Sequence, residues 1–231
     1  SELRLIGDSA FKNSSIKKLT VPPHVKRIDE SSFQYCPIES ITFTGNSKLK
    51  VIGKNAFHSC NIKDIIIPSS VQIIDDSAFY CSYLRSVKYD ENSQLKSLGT
   101  DVFGSSKVEE ISIPSQVTDI KEGCFHHLSL LKKIVIEKEN KHFAYVNDGL
   151  LLYKENENDP NFDTLIFIRI NLENIIIPSY VKKISEIAYI NYNESRAKYL
   201  ELSKGSELKC IPRNSINSDI RTLVLQKSLL S

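Results

Sequence analysis

The sequence lacks methionine and tryptophan altogether, and it contains only eight glycines and eight prolines in 231 residues. It also lacks long apolar runs: stretches such as 65–67 and 150–152 are far shorter than the ~20 residues that a membrane-spanning helix needs. No secretory signal is recognisable. We therefore expect no membrane span within this chain. The chain starts at Ser1 and contains no methionine, so we expect a mature piece or an excised fragment, from which targeting and anchoring segments could have been left out.

Charge of one sign is also scarce. The formal net charge is +2, and the basic and acidic residues are interspersed rather than gathered in blocks. This balance argues against a nucleic-acid partner. Five cysteines, an odd number without CxxC pairs, argue against a disulfide framework or a zinc site. The apolar share of 41% and the charged share of 25% are typical of a globular chain with a packed core.

What the sequence does have is a repeat, which is visible in the spacing of its phenylalanines. Six of them are separated by 22, 24, 22, 24 and 22 residues: Phe11, Phe33, Phe57, Phe79, Phe103 and Phe125. Five residues before each stands an aliphatic residue, and another stands three residues before that. The unit reads V-x-x-I-x-x-x-A-F-x-x-C-x-x-L-x-x-I-x-I-P, with substitutions. We predict that the phenylalanines form one buried spine.

Each unit also carries one alternating aliphatic pair, such as Ile65 and Ile67, which predicts a strand with one buried face. Proline follows the strand in alternate units and ends its pairing, because proline has no N–H to donate. Asp or Ser before the Ala-Phe step suits a capped helical turn. These signals predict an α/β leucine-rich-repeat solenoid over 1–231, a single domain of about nine turns of 22–24 residues. We expect one parallel sheet on its concave face and irregular or short helical turns on its convex face.

One interruption breaks the period. An Asn-Asp-Gly turn at 147–149 is followed by strand-like runs at 150–153 and 164–170, which predicts an inserted β-hairpin over 144–170. Residues 155–163 would form its mobile acidic tip. Tyr189 takes the phenylalanine position after the insertion, and 190–231 are expected to be degenerate C-terminal repeats.

The repeat resembles the BspA-like leucine-rich repeat family, whose motif reads roughly IP-x-x-V-x-x-I-G-x-x-A-F-x-x-C-x-x-L. Residues 67–79, from Ile67-Pro68 to Ala78-Phe79, follow its first half, and residues 51–60 follow its second half. The resemblance covers 3–189 well and 190–231 loosely. It implies a surface protein of the kind that bacteria and parasitic protists use for adhesion to host components. Fold transfers more safely than function along such a resemblance.

No catalytic motif is present: the sequence has no nucleophile elbow, HExxH, P-loop or dinucleotide fingerprint. We therefore expect no enzyme, no cofactor and no metal site. Cys36 and Cys60 occupy the same position of adjacent units. The favoured interpretation is two buried, reduced thiols bonded to nearby backbone; a disulfide and a metal or nucleophile role are the alternatives.

Residues that flank the strand aliphatics vary from unit to unit and should project from the concave face, where solenoids bind partners. The candidate partner-binding residues are Lys63, Ile66, Arg85, Lys88, Glu110, Lys133, Val135 and Ile176. Their mixed charges suit a protein or glycan macromolecule, and we expect a monomer. The leading hypothesis is a cell-surface or secreted adhesion or recognition module; the alternative is an intracellular, cytoplasmic protein–protein interaction scaffold. A solvated face without any partner is the simplest competing interpretation.

Overall fold

The computed structural model describes residues 2–80, 83–169, 172–186, 188, 197–213 and 220–225. The chain divides into two compact units, residues 1–131 with 137–140 and residues 132–136 with 141–231. Unit 1 holds β1 (Leu5–Ile6), β2 (Lys18–Val21), β3 (Arg27–Ile28), β4 (Ser40–Phe43), β5 (Val51–Ile52), β6 (Asp64–Ile67), β7 (Ile73–Ile74), β8 (Ser86–Tyr89), β9 (Ser97–Leu98), β10 (Glu110–Ile113) and β11 (Asp119–Ile120). Unit 2 holds β12 (Lys133–Ile136), β13 (Phe143–Val146), β14 (Leu150–Tyr153), β15 (Thr164–Ile168), β16 (Asn174–Ile177), β17 (Lys183–Ile184), β18 (Tyr199–Leu202) and β19 (Thr222–Leu225).

The continuous sheet of unit 1 is built from its shortest strands. The two-residue strands β1, β3, β5, β7, β9 and β11 form one six-stranded parallel ladder in that order. Their second residues, the aliphatic column of the repeat, stand in register, as in Ile52 beside Ile74 and Ile74 beside Leu98. These side chains are largely buried, so the column that the spacing predicted is a real core element.

The four-residue strands do not form the single ladder that the sequence analysis expected. β2 pairs only with β4 and β6 only with β8, in parallel, and neither β4 with β6 nor β8 with β10 is paired. In each pair the residue after the second strand closes the ladder, as when the Asp90 N–H donates to the Ile67 carbonyl at 3.0 Å. Pro68 and Pro114 stand at the equivalent place after β6 and β10 and have no N–H to give. Each repeat forms one coil of the solenoid. Proline follows the long strand in every second coil, so that strand is not paired with the long strand of the coil before it.

None of the described residues is helical, so the expected helical turns of the convex face are wrong. In the third coil the Asn55, Phe57 and Ser59 N–H groups donate across to the next coil at 2.8–2.9 Å, while the N–H groups between them close local turns. Asn55 and Ser59 also have positive φ, 54° and 59°. A right-handed helix tolerates neither feature. The Asn, Ser and Asp residues before the Ala-Phe step are therefore not helix caps; they are residues that tolerate the left-handed region.

The phenylalanine spine is confirmed, with one correction. Neighbouring rings stack at centroid distances of 5.3–6.1 Å, with interplanar angles of 1° to 17°, from Phe11 through Phe33, Phe57 and Phe79 to Phe103. The four rings after Phe11 are fully buried. Phe11 is 44% exposed, and within the described residues its ring stacks on one side only, against Phe33.

Unit 2 combines antiparallel and parallel pairing. β13 and β14 pair antiparallel across a turn in which Asn147 and Asp148 both have a φ of 50°, as a type I′ hairpin turn requires. β14 then pairs antiparallel with β15, and β15 pairs parallel with β17. A separate parallel sheet holds β16, β18 and β19. Tyr189 and much of 190–231 lie outside the described residues.

Lys154 holds the segment that follows β14. Its ammonium donates to the carbonyls of Glu157 and Asp159 at 2.9 and 2.7 Å and lies 4.8 Å from the Phe162 ring centroid. A buried ammonium needs such partners, because desolvating an unpaired charge is costly. The acidic segment is therefore exposed in its side chains but tied to the hairpin through its backbone.

Candidate binding surface

The candidate surface in unit 1 is formed by the outward side chains of its long strands, which we call the outer strand face. Alternation places every second residue there, since Asp64 and Ile66 of β6 are exposed while Ile65 and Ile67 are buried. The members of the face are Lys18, Thr20, Ser40, Thr42, Asp64, Ile66, Ser86, Lys88, Glu110 and Ser112. Parallel register sets them in rows, so that Ile66 stands beside Lys88.

A cleft of about 510 Å³ opens on this face where β4 and β6 are not paired. Thr42, Ile66 and Lys88 line it, together with Asp64 and Asp90. Its position follows from the proline after β6, because a closed ladder would have joined the two strands. Ile66 is 57% exposed there, which is unusual for a large aliphatic side chain in a strand.

The sequence-predicted residues of unit 1 fall into two groups. Ile66, Lys88 and Glu110 belong to the outer strand face and are exposed. Lys63 and Arg85 are exposed as well, but they precede β6 and β8 and lie outside the strand alternation. The Arg85 N–H donates to the Lys63 carbonyl at 2.7 Å, so the two residues are neighbours at the entry to the strand pair.

The other three predicted residues lie in unit 2. Lys133 and Val135 of β12 are exposed and half-buried, respectively, and Ile176 of β16 is 44% exposed. The Asn147 side chain donates to the Ile176 carbonyl at 3.1 Å. The hairpin turn therefore lies against β16, beside an exposed aliphatic side chain.

The charged groups around the cleft have no partner among the described residues. Asp64, Lys88 and Asp90 form no ion pair within that part of the chain, and the same is true of Lys63 and Arg85. Elsewhere in unit 1 charges do pair, as when the Lys121 ammonium lies 3.2 Å from an Asp76 carboxylate oxygen. The hydrogen bond and positive charge of Lys121, with the Thr100 N–H, lower the pKa of Asp76 despite the opposing effect of burial.

Sequence reasoning missed the cleft and three of the lining residues named above, Thr42, Asp64 and Asp90, which were not among the candidates. The available signal was proline in alternate coils, which marks where the sheet opens.

The cysteines bond across coils. The Cys36 thiol donates to the Phe11 carbonyl at 2.9 Å, and the Cys60 thiol donates to the Phe33 carbonyl at 3.3 Å. Both are buried and free, as predicted, although the bonded carbonyl belongs to the preceding coil. Burial raises the pKa of Cys60 to about 12, so its nucleophilic thiolate form is suppressed.

His58 lies in a row of rings on the turn side of unit 1. Its ring is 5.6 Å from Tyr35 and 5.1 Å from Tyr80, and Nδ1 is 2.9 Å from the Ser59 hydroxyl. Burial is the main cause that lowers the pKa of His58.

Within the described ranges no three His, Cys, Asp or Glu side chains gather as a metal site would require, and no helix is long and apolar enough to cross a membrane.

The repeat itself is what identifies the family. Six copies of the BspA type leucine rich repeat region match residues 4–132, which is more than half of the chain. The chain belongs to the BspA-type leucine-rich repeat family. Stacked coils with one aliphatic column, one phenylalanine spine and open strand pairs are how this chain builds the repeat. A search among curated protein sequences finds no significant match.

Several solved bacterial structures share the fold. The pneumococcal vaccine antigen PcpA is 24% identical with a TM-score of 0.82, over 98% of this chain and 57% of that one. A leucine-rich cell surface protein of Faecalibacterium prausnitzii is 19% identical with a TM-score of 0.60, over 85% and 64%. A leucine-rich repeat protein of Bacteroides ovatus is 18% identical with a TM-score of 0.52, over 95% and 66%. This chain thus spans less than two thirds of each of these relatives.

Proposed function

We propose that this chain is a non-enzymatic recognition module, displayed at a cell surface or secreted, that binds a macromolecule through the outer strand face. The observation that carries the proposal is the cleft between β4 and β6, where exposed Ile66 lies among charges that have no partner in the described chain. An aliphatic side chain gains nothing from water, and it is stabilised when a partner covers it.

The physical form of the surface suits a protein or a glycan better than a polyanion. Lys88 would attract phosphate or sulfate groups to the cleft, but Asp64 and Asp90 in the same cleft would repel them. Mixed charges around an apolar centre are typical of specific protein interfaces, in which the centre supplies affinity and the charges supply orientation. The outlying residues Lys63 and Arg85 would lie at the rim of such an interface.

Surface display is supported by the relatives. PcpA is described as a vaccine antigen and the Faecalibacterium protein as a cell surface protein. Those descriptions belong to longer chains of low identity, so the proposal extends them to this chain by analogy of fold. The target that we propose is a host or extracellular macromolecule.

Bead adhesion to cultured mammalian epithelial cells tests the proposal. Beads coated with the chain are compared with beads carrying R85E/K88E and with a matched control, K12E/K54E, in which two exposed lysines of the turn side receive the same change of charge. We expect R85E/K88E to reduce adhesion several-fold and to leave thermal stability nearly unchanged, because exposed substitutions usually stay within about 0.5 kcal/mol. Equal adhesion of R85E/K88E and wild type, with loss in K12E/K54E, would show that the outer strand face is not the binding surface.

The second candidate, an intracellular interaction scaffold, is favoured by the thiols. The four described cysteines, Cys36, Cys60, Cys124 and Cys210, are free, while Cys81 lies outside the described residues. Thiol titration of protein isolated from its source cells separates the candidates. Five free thiols favour the scaffold, and an oxidised or mixed-disulfide Cys210 favours exposure to an oxidising compartment.

A further inference from the structure

Three of the five glutamines of the chain lie around one pocket of unit 1. The pocket has a volume of about 430 Å³, within the range of about 300–1,000 Å³ that is usual for ligand sites. Gln72, Gln94 and Gln116 line it with Asn92, Ser115 and Lys96. These residues belong to the segments between long and two-residue strands, so the pocket is distinct from the outer strand face.

The glutamines replace residues of other character at repeated positions. The residue just before each two-residue strand forms a row that reads Arg4, Lys26, Lys50, Gln72, Lys96 and Thr118. Gln72 interrupts the basic part of this row. The residue before the buried aliphatic that begins each unit reads His24, Lys48, Ser70, Gln94 and Gln116. Amides thus accumulate in three successive coils and not in the earlier ones.

The backbone around the pocket is fixed by bonds between coils. The Lys96 N–H donates to the Gln72 carbonyl at 2.8 Å, and the Gln94 N–H donates to the Ser69 carbonyl at 2.8 Å. Asn92 has a φ of 58°, which asparagine tolerates better than most residues. The Ser93 hydroxyl accepts the Leu95 N–H at 3.3 Å and so shapes the turn beneath the pocket. The amides are therefore presented from a preorganised frame.

The side-chain amides themselves are available. Gln72, Asn92 and Gln116 make no side-chain hydrogen bond to any residue that the structure describes, and the Gln94 oxygen accepts from Lys50 Nζ at 3.2 Å. Each amide offers two N–H donors and one oxygen acceptor. The lining includes no carboxylate and no aromatic ring, and Lys96 is its one charged side chain.

We propose that this pocket binds a sugar residue of a neutral glycan. A sugar hydroxyl donates and accepts at once, so an array of amides can satisfy several neighbouring hydroxyls in both senses. An anionic ligand would find one lysine in the lining, Lys96, because the ammonium of the nearby Lys50 already donates to the Gln94 oxygen. A peptide anchors through apolar or aromatic side chains in apolar pockets, and every side chain that lines this pocket is polar. The site is independent of the cleft between β4 and β6 and of any partner bound there.

NMR titration of the side-chain amide signals tests the proposal directly, because the chain has few glutamines to assign. The probes are maltose, cellobiose, lactose and N,N′-diacetylchitobiose, with the neutral tetrapeptide Gly-Ser-Gly-Ser as comparison. We expect at least one disaccharide to shift the signals of Gln72, Gln94 and Gln116 saturably. The signal of Gln34, which is buried elsewhere in unit 1, should not move.

Two variants and one control make the outcome decisive. Gln72→Lys restores the residue type of the neighbouring coils, so it should fold, and Gln116→Ala removes a second amide. Each should weaken the disaccharide about fivefold to tenfold, as the loss of one or two hydrogen bonds implies. His24→Ala, at the same repeat position as Gln116 but coils away, should change nothing. No saturable shift with any of the disaccharides, undiminished affinity in both glutamine variants, or equal shifts with the tetrapeptide would overturn the proposal.

Discussion

Removing one ring from the phenylalanine spine should cost far more in the middle than at its end. Phe79 is fully buried, with its ring centroid 5.4 Å from that of Phe57 and 6.1 Å from that of Phe103. Phe79→Ala deletes the ring and leaves a cavity that stacked coils cannot close, because their spacing is fixed by backbone bonds. The expected loss in the free energy of unfolding is about 3–5 kcal/mol.

Phe11→Ala is the matched control, with the same residue type at the same repeat position. Phe11 is 44% exposed and stacks on one ring only, Phe33, at 5.3 Å. Its removal opens a notch that water can fill, so the expected loss is about 1–2 kcal/mol. The two variants thus test whether burial between coils, and not the ring itself, sets the cost.

Urea unfolding followed by far-ultraviolet circular dichroism and tyrosine fluorescence measures both losses. An unchanged m-value would show that each variant unfolds from the same compact state. A Phe79→Ala loss below about 2 kcal/mol, or equal losses in the two variants, would refute the stacked spine as the main core of unit 1. An intermediate loss for Phe79→Leu is expected, since leucine fills part of the space.

Three further substitutions or treatments probe single groups. Asp101→Asn should stabilise the protein by about 1 kcal/mol at pH 7. Asp101 has a φ of 52°, its buried Oδ1 has no hydrogen-bond partner among the described residues, and burial raises the pKa of its carboxyl. That gain should vanish below about pH 3 in thermal melts, where the carboxyl is neutral in both states; a gain that persists there would contradict the charge argument. Iodoacetamide followed by mass spectrometry should label exposed Cys210 in native protein and spare Cys60, whose pKa is raised to about 12 by burial. Ser106→Cys should raise the free energy of unfolding in urea by about 0.5–1 kcal/mol. The buried Ser106 hydroxyl has no partner in the described chain, whereas a thiol at this repeat position can donate to the phenylalanine carbonyl of the preceding coil, as Cys36 does. A loss of stability would show that the position cannot accommodate sulfur.

The regular spacing of residue types in the sequence was enough to predict the features that depend only on the repeat period. Coil length, the aliphatic column and the buried phenylalanines from Phe33 to Phe103 follow from residues that recur every 22 or 24 positions, because stacking must bring equal positions together. The prediction that Phe11 is buried was wrong, because a repeat period does not say which neighbours cover a given residue. Within the described residues the Phe11 ring is covered on one side only, by Phe33, so the same residue type is exposed there.

The repeat period could not predict the backbone conformation of the turns before the Ala-Phe step. Ser, Asn and Asp before the Ala-Phe step suit a helix cap and also suit the left-handed region, and the sequence does not distinguish the two uses. The choice is made by the neighbouring coil: its carbonyls accept alternate N–H groups, as when the Phe57 N–H donates to the Ala78 carbonyl at 2.8 Å. An isolated turn would lack those acceptors, so only the stacked state selects this backbone.

The two candidate surfaces lie where coils differ from one another. Identical coils would make a uniform sheet, and a uniform sheet has no place for a specific partner. Pro68 breaks the pairing and opens the cleft that exposes Ile66, while Gln72 breaks a basic row and leaves amides around a pocket. Gln72 is partly exposed and belongs to no buried column, so it can change at small cost to folding. In a chain of this kind, function should be sought at the positions where a coil departs from its neighbours without weakening the stack.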